Sequence, residues 1–135
     1  MAPRLLLILT ENHTMRPRPD VGDLVAFAVE AEQAGLDGVM VSEHIVLWPS
    51  ASAAGLPVNP RDYALPGNQD PATPWPSTVV LLSAIAAATR RIRLVAGAII
   101  SPLRHPLALA KDLATLDRLS HGRLIVLPTV RWPNW

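Results

Sequence analysis

The sequence predicts an α/β fold, an incomplete (β/α)₈ TIM-type barrel with about four β/α units on parallel strands. Three observations predict it. Short apolar runs alternate with amphipathic segments in the order β-α-β-α-β-α-β. Strands alternating with helices need right-handed crossovers, which lay the strands parallel. The strands read as continuous apolar runs, the signature of strands covered on both faces. The turn after the first strand, Thr10-Glu11-Asn12-His13, holds no glycine. An open, doubly wound nucleotide-binding sheet wants a Gly-rich turn there, and the chain has no P-loop. Periodicity alone admits both the doubly wound sheet and half of a barrel. The missing glycines favour the barrel.

Arg4 to Thr10 is the first apolar run and ends in polar residues. A Pro- and Arg-rich loop follows through Arg16-Pro17-Arg18-Pro19. From Val21 to Ala34 the spacing of Leu24, Phe27, Ala28, Ala31 and Ala34 puts one apolar face on a helix, with Glu30 and Glu32 off it. Gly35 is placed to terminate that helix. Gly38-Val39-Met40-Val41 is the second strand and runs into Ser42-Glu43-His44. A long Pro- and Gly-rich loop then spans about residues 46–76, of a length that compact domains keep for lids and binding loops. The second helix starts at Ser77, shows Val79, Leu82, Ile85, Ala86 and Thr89 on one face, and stops near Arg90-Arg91. Ile92 to Ile100 is the third strand. Ser101 to His105 is a connector, and Pro106 suits the first turn of a third helix. Leu109, Leu113 and Leu116 mark its buried face, and Gly122 follows its end. Leu124 to Leu127 is the fourth strand, ended by Pro128-Thr129-Val130. The whole chain, 1–135, reads as one domain.

Composition narrows the function. Half of the 135 residues are hydrophobic, enough for a packed core, so the chain is not a disordered tail. The net charge of +1 gives no electrostatic case for nucleic acid or an anionic membrane. With no cysteine, a disulfide framework, a thiolate nucleophile and a Cys-ligated metal are excluded, and a cytoplasmic location is expected. Leu5 to Leu9 is too short for a signal-peptide core and meets Thr10-Glu11-Asn12-His13 where a cleavage site should stand. No stretch approaches the roughly 20 apolar residues of a membrane span.

Several segments resemble the luciferase-like monooxygenase superfamily. They are Ala31-Glu32-Gln33-Ala34-Gly35-Leu36-Asp37-Gly38 leading to Ser42-Glu43-His44, Ala84 to Leu94, Ser101-Pro102-Leu103-Arg104-His105-Pro106, and Ala110-Lys111 with Ala114 to Ser120 and Gly122-Arg123-Leu124. Each fragment is weak alone; in order and in register they are specific. The resemblance implies an eight-stranded barrel that binds reduced flavin mononucleotide (FMN) or the deazaflavin coenzyme F-420. Such enzymes transfer hydride or use the reduced flavin to activate oxygen. It covers about four of the eight strands, the N-terminal half. Loops after the last strands of a barrel commonly hold a cofactor phosphate, so a chain of this extent is expected to be inactive alone. Many relatives have a Gly-rich fourth strand end; this chain has Pro128-Thr129-Val130-Arg131-Trp132.

Barrel active sites lie at the C-terminal strand ends, where His13, Glu43, His44, Ala98 to Ser101 and Thr129 fall. His44 is the candidate catalytic residue, donating to a ring carbonyl or shuttling a proton. Glu43 is the second, orienting that histidine or a substrate. The plain alternative for His44 is a structural bond to a neighbouring loop. By resemblance, Ala98, Ile99, Ile100 and Ser101 bind the cofactor, with a non-prolyl cis peptide between Ala98 and Ile99, apolar side chains on one ring face and a Ser101 hydrogen bond. An ordinary buried strand fits the same residues.

Other residues are read structurally. His105 ends the connector or caps the helix, and His121 sits at a helix end where a cation suits the dipole. Arg90, Arg91 and Arg93 lie at the opposite end of a strand from the site and read as a solvated face. Trp48, Trp75, Trp132 and Trp135 read as loop anchors more than as a substrate mouth. No spacing suggests a metal site or a legible Ser-His-Asp triad. Three functions remain. One is a redox domain acting on a small-molecule substrate. Another is a non-catalytic half-barrel that forms a homodimer or completes a larger oxidoreductase, since open sheet edges and an apolar inner face need cover. The weakest is a different barrel chemistry, because the single lysine, Lys111, falls on a helix.

Overall fold

The computed structural model describes residues 3–10, 20–44 and 75–130. The elements are β1 (Leu6–Ile8), α1 (Val21–Gln33), β2 (Gly38–Val41), α2 (Thr78–Ala88), β3 (Arg93–Ile100), α3 (Pro106–Leu119) and β4 (Leu124–Thr129), with a 3₁₀ turn, Ser101–Leu103, between β3 and α3. The loop expected at 46–76 lies outside the described residues except for its last two, and His13 also lies outside them.

The four strands are parallel and ordered β1-β2-β3-β4. That order decides between the two architectures. A doubly wound sheet reverses at a switch point and carries helices on both faces. Here no reversal occurs among the described strands. Residues of all three helices (Leu24, Ala28, Leu82, Ile85, Leu109, Leu116) join Val39, Val41, Leu94, Ala96 and Ile99 in one core on one face. The other face carries Leu6, Met40, Val95, Gly97, Ile125 and Leu127 by strand alternation. It is the inner wall of an incomplete (β/α)₈ barrel. Leu6, Ile125 and Leu127 are 48%, 42% and 49% exposed on it. The expectation that every strand is covered on both faces therefore holds for β2 and β3 and fails for β1 and β4, which have one neighbouring strand each.

Local chemistry sets the helix ends. Asp20 accepts from the Gly22 N–H at 2.9 Å, while Asp23 accepts from the Asp20 N–H at 3.2 Å, a reciprocal cap that starts α1. The same helix ends when Gly35 takes φ +82 and the Gly35 and Leu36 N–H groups reach back to Glu32 and Ala31. Ala34 is the exposed C-cap residue, not part of the buried face. Pro106 does begin α3. His105 occupies the N-cap position, but its side chain makes no capping bond.

Candidate functional site

The sheet's C-terminal rim is stitched strand to strand by side chains. Just past β1 and β2, the Thr10 and Ser42 hydroxyls meet at 2.5 Å, and the Ser42 N–H donates to Thr10 Oγ1 at 3.1 Å. Both residues are buried. One residue on, Glu43 is 5% exposed. Its Oε2 accepts from the Ile100 N–H at 2.8 Å and from Arg104 Nη1 at 2.9 Å, and its Oε1 accepts from Arg104 Nη2 at 2.5 Å. Planar guanidinium and carboxylate match as a two-bond fork. The Glu43 hydrogen bond holds the Arg104 guanidinium above its ordinary pKa, against the opposing effect of burial. Glu43 thus ties the end of β2 to the end of β3 and to the turn beyond it. Both its oxygens are engaged by these partners.

His44 follows directly and is half-buried, with the Trp75 ring edge-on at 4.2 Å and 67°. Trp75 packs against the candidate histidine, a contact that loop spacing could not reveal. Its indole Nε1 is buried without a hydrogen-bond partner, as is the hydroxyl of Thr78.

β3 supplies the next wall. Its register to β4 shifts between Gly97 and Ile99, and Ala98 is the extra residue. A non-prolyl cis peptide is present, between Gly97 and Ala98. This corrects the expectation by one bond, since the resemblance implied Ala98 to Ile99. The bulge leaves Ala98 exposed and turns Ile99 into the helix-side core, fully buried. The Ile99 side chain therefore packs in that core. Ile100 is buried with its N–H on Glu43, and Ser101 opens the 3₁₀ turn, half-buried. Beneath the bulge, a side chain at Gly97 would collide with Met40 Sδ at 2.8 Å and crowd Leu127 at 3.2 Å, so only glycine lets those two close over it. Thr129 lies beside Ile100 in register.

A cleft of about 600 Å³ opens at the other end of the sheet, lined by Arg4, Leu6, Asp37, Arg91, Arg93 and Ile125 among others. It touches none of the rim residues. That end holds two charged groups whose partners sequence reading missed. The Glu32 carboxylate accepts from the N–H groups of Arg90, Arg91 and Ile92 at 2.6–3.1 Å. Burial opposes its ionisation, but those three N–H groups and the Arg91 charge outweigh it and lower its pKa. Arg123, 6% exposed, donates to the carbonyls of Ala86, Thr89, Ile92 and Ser120 and to the Thr89 hydroxyl at 2.7–3.2 Å. The side chains of Arg90, Arg91 and Arg93 are exposed, as expected of a solvated face, although Arg93 also reaches the Gly122 carbonyl.

A flat tricyclic ring asks for an apolar wall and for donors toward its carbonyl oxygens. The C-terminal rim offers exposed Ala98 on the bulge, half-exposed Leu127 on the adjoining strand, and the unpaired N–H of Trp75, whose ring packs against His44. These residues fit such a ring. A phosphate tail finds no comparable holder among the described rim residues, because Arg104 is committed to Glu43.

The family model for luciferase-like monooxygenases matches residues 4–127. The chain belongs to this family. It is 36% identical over 103 residues to an F420-dependent glucose-6-phosphate dehydrogenase of Beutenbergia cavernae, matching 76% of this chain and 25% of that protein. It is 42% identical over 124 residues to an uncharacterized protein of Mycobacterium tuberculosis, 90% of this chain and 39% of that one. Among solved structures, the oxygenating constituent of 3,6-diketocamphane monooxygenase from Pseudomonas putida, in complex with FMN, superposes with a TM-score of 0.68 at 22% identity, over 97% of this chain and 30% of that one. The coenzyme F420-dependent tetrahydromethanopterin reductase of Methanopyrus kandleri gives 0.56 at 20% identity, over 92% and 25%. The chain thus spans between a quarter and two fifths of the length of these relatives. Among the described residues no helix is long and apolar enough to cross a membrane, and no cluster of His, Asp and Glu could hold a metal ion.

Proposed function

We propose that this chain forms one rim of the active site of a flavin- or deazaflavin-dependent oxidoreductase acting on a small molecule. One observation carries the reading: the Glu43 to Ile100 hydrogen bond, 2.8 Å long, brings the end of β2 and the bulge of β3 together beside His44. When bound, a reduced flavin or deazaflavin supplies the hydride or electron pair. The chain's own residues do the rest. His44 holds or delivers a proton at an imidazole nitrogen. Glu43, with Arg104, fixes the backbone on either side of it. Ala98 and Leu127 offer an apolar wall that excludes water from the ring. Relatives that use FMN and relatives that use coenzyme F-420 both support the reading, and the choice between the two cofactors goes to experiment. We place the protein in the cytoplasm, in line with a chain free of cysteine.

Titration of the protein with reduced FMN under anaerobic conditions, and separately with coenzyme F-420, tests this by calorimetry. Saturable one-site binding of either is expected. His44→Asn should keep that affinity within a few-fold, and in an enzyme whose barrel this chain helps to complete it should lower turnover by about 100-fold or more. Failure of both cofactors to bind ends the proposal.

A second reading has its own support. Leu6, Ile125 and Leu127 lie exposed on one face of the sheet between two edge strands. Such a face asks for cover, which a second copy of the chain would provide. Sedimentation equilibrium should then show a dimer, broken by Leu127→Glu; a monodisperse monomer rules this reading out.

A further inference from the structure

Buried polar groups in folded proteins are hydrogen-bonded, and an exception asks for a cause. Among the described residues, two side-chain atoms are such exceptions, Trp75 Nε1 and Thr78 Oγ1. Both stand where the chain enters α2, at the C-terminal rim, because a helix that follows a parallel strand starts where the strand ends. Thr78 is enclosed in the first turn of α2. Trp75 is different: its ring lies edge-on against His44 at 4.2 Å, so it belongs to the candidate site.

An indole nitrogen can only donate. No rotation, tautomer or change of pH converts it into an acceptor, so it needs an external acceptor or goes without. A phenylalanine would offer His44 a similar edge and leave no orphan. The nitrogen therefore destabilises the free protein and is a donor that still lacks its acceptor.

We propose that the Trp75 N–H is a ligand-binding donor, completed by a carbonyl oxygen of the ring that docks beside His44. This rests on the reading above, in which that ring is a flavin or a deazaflavin; both carry carbonyls on their pyrimidine-like end. The bond is a neutral N–H to a carbonyl, formed on docking, and it orients the ring relative to the His44 imidazole. Trp75 is then a cofactor-orienting residue, not a loop anchor.

Trp75→Phe separates the two roles. The free variant should melt at the same temperature as the parent or slightly above it. Its affinity for whichever of reduced FMN and coenzyme F-420 the parent binds should fall about three- to tenfold, the loss of one net hydrogen bond. In a ¹H–¹⁵N spectrum of the parent, four tryptophans give four indole signals. The one absent from Trp75→Phe should move downfield when that cofactor saturates the protein. If the variant does not fold, single replacements of Trp48, Trp132 and Trp135 assign the signal instead. An unchanged affinity in Trp75→Phe, or a Trp75 signal that stays in place at saturation, overturns the assignment while leaving the oxidoreductase reading standing. A parent protein that binds neither cofactor overturns both.

Discussion

The two ends of the sheet satisfy their buried polar groups in opposite ways. At the N-terminal end, Glu32 and Arg123 meet fixed backbone groups, with the Thr89 hydroxyl as a further acceptor for Arg123. Arg123 collects carbonyls from the ends of α2 and α3, where the helix dipoles favour a cation. Glu32 reaches from α1 to the three N–H groups that precede β3. At the C-terminal end, the Glu43–Arg104 pair is complete, but next to it stand an exposed bulge residue, Ala98, and an indole N–H with no acceptor. A satisfied end holds a fold together, and under the proposed function the end with an unmet bond is the one that meets a ligand. Barrels divide their labour along the same axis.

Substitutions at the two ends should therefore differ in kind. The largest stability loss is expected at Arg123. Arg123→Met keeps the bulk of the stem and removes the donors to four carbonyls, leaving several buried acceptors unpaired. A loss of about 3 kcal/mol follows, seen as a fall in Tm on the order of 10 °C. Cofactor affinity measured well below the new Tm should stay within about twofold of the parent. Next comes Glu43→Gln, which removes one charge of a buried pair and should cost about 2 kcal/mol in chemical denaturation. In contrast to Arg123→Met, it should also weaken cofactor binding in the folded protein, because the Ile100 backbone and the turn at Ser101 lose their tether. Equal effects of the two variants on binding would erase the proposed division between the ends.

How far the sequence revealed each end follows from the range of the interactions. Apolar runs and caps are local, so β2 falls where expected at Gly38–Val41 and α3 starts at Pro106. Glu43 and His44 are legible as candidates because they directly follow a buried strand. Their partners are not, because Arg104 is 61 residues from Glu43 in sequence and only the fold brings it near. Glu32 was set aside as an off-face residue on α1, when its ligands are backbone N–H groups 58–60 residues away, which no side-chain pattern records. Which side of the sheet Ile99 faces is hidden for another reason. The bulge at Ala98 adds a residue and reverses strand parity beyond it, sending Ile99 to the core side. A usable signal did exist for Arg104. A carboxylate buried at a strand end needs a cation, and the connector after β3 carries one.

The Glu32 contacts make the N-terminal end sensitive to acid in a defined direction. Its carboxyl ionises below the ordinary glutamate value of 4.5 in the folded chain. A group whose pKa falls on folding contributes stability above its unfolded value and loses that contribution as the pH drops through the folded one. The stability gap between the parent and Glu32→Gln should therefore be open at neutral pH and close as the pH falls through 4.5 and below. A gap that widens on acidification would mean that the carboxylate is not what holds the three N–H groups.

The smallest effect expected is a gain. α3 ends as α1 does, with two N–H groups reaching back, His121 to Arg118 at 3.1 Å and Gly122 to Asp117 at 2.9 Å. In α1 the residue that turns left-handed is Gly35 at φ +82; in α3 the first to do so is His121 at φ +56, followed by Gly122 at φ +76. A side chain there meets the following carbonyl, a strain of about 1–2 kcal/mol for an L-residue, whereas glycine takes the same backbone freely but has more conformational entropy to lose on folding. The two terms partly cancel, so His121→Gly should stabilise the protein by about 0.5–1 kcal/mol, read as a higher denaturation midpoint with an unchanged slope. Because His121 lies at the N-terminal end of the sheet, cofactor affinity should not change with it. If the stability falls instead, the His121 side chain contributes more at this helix end than the left-handed backbone takes away, and the strain argument fails.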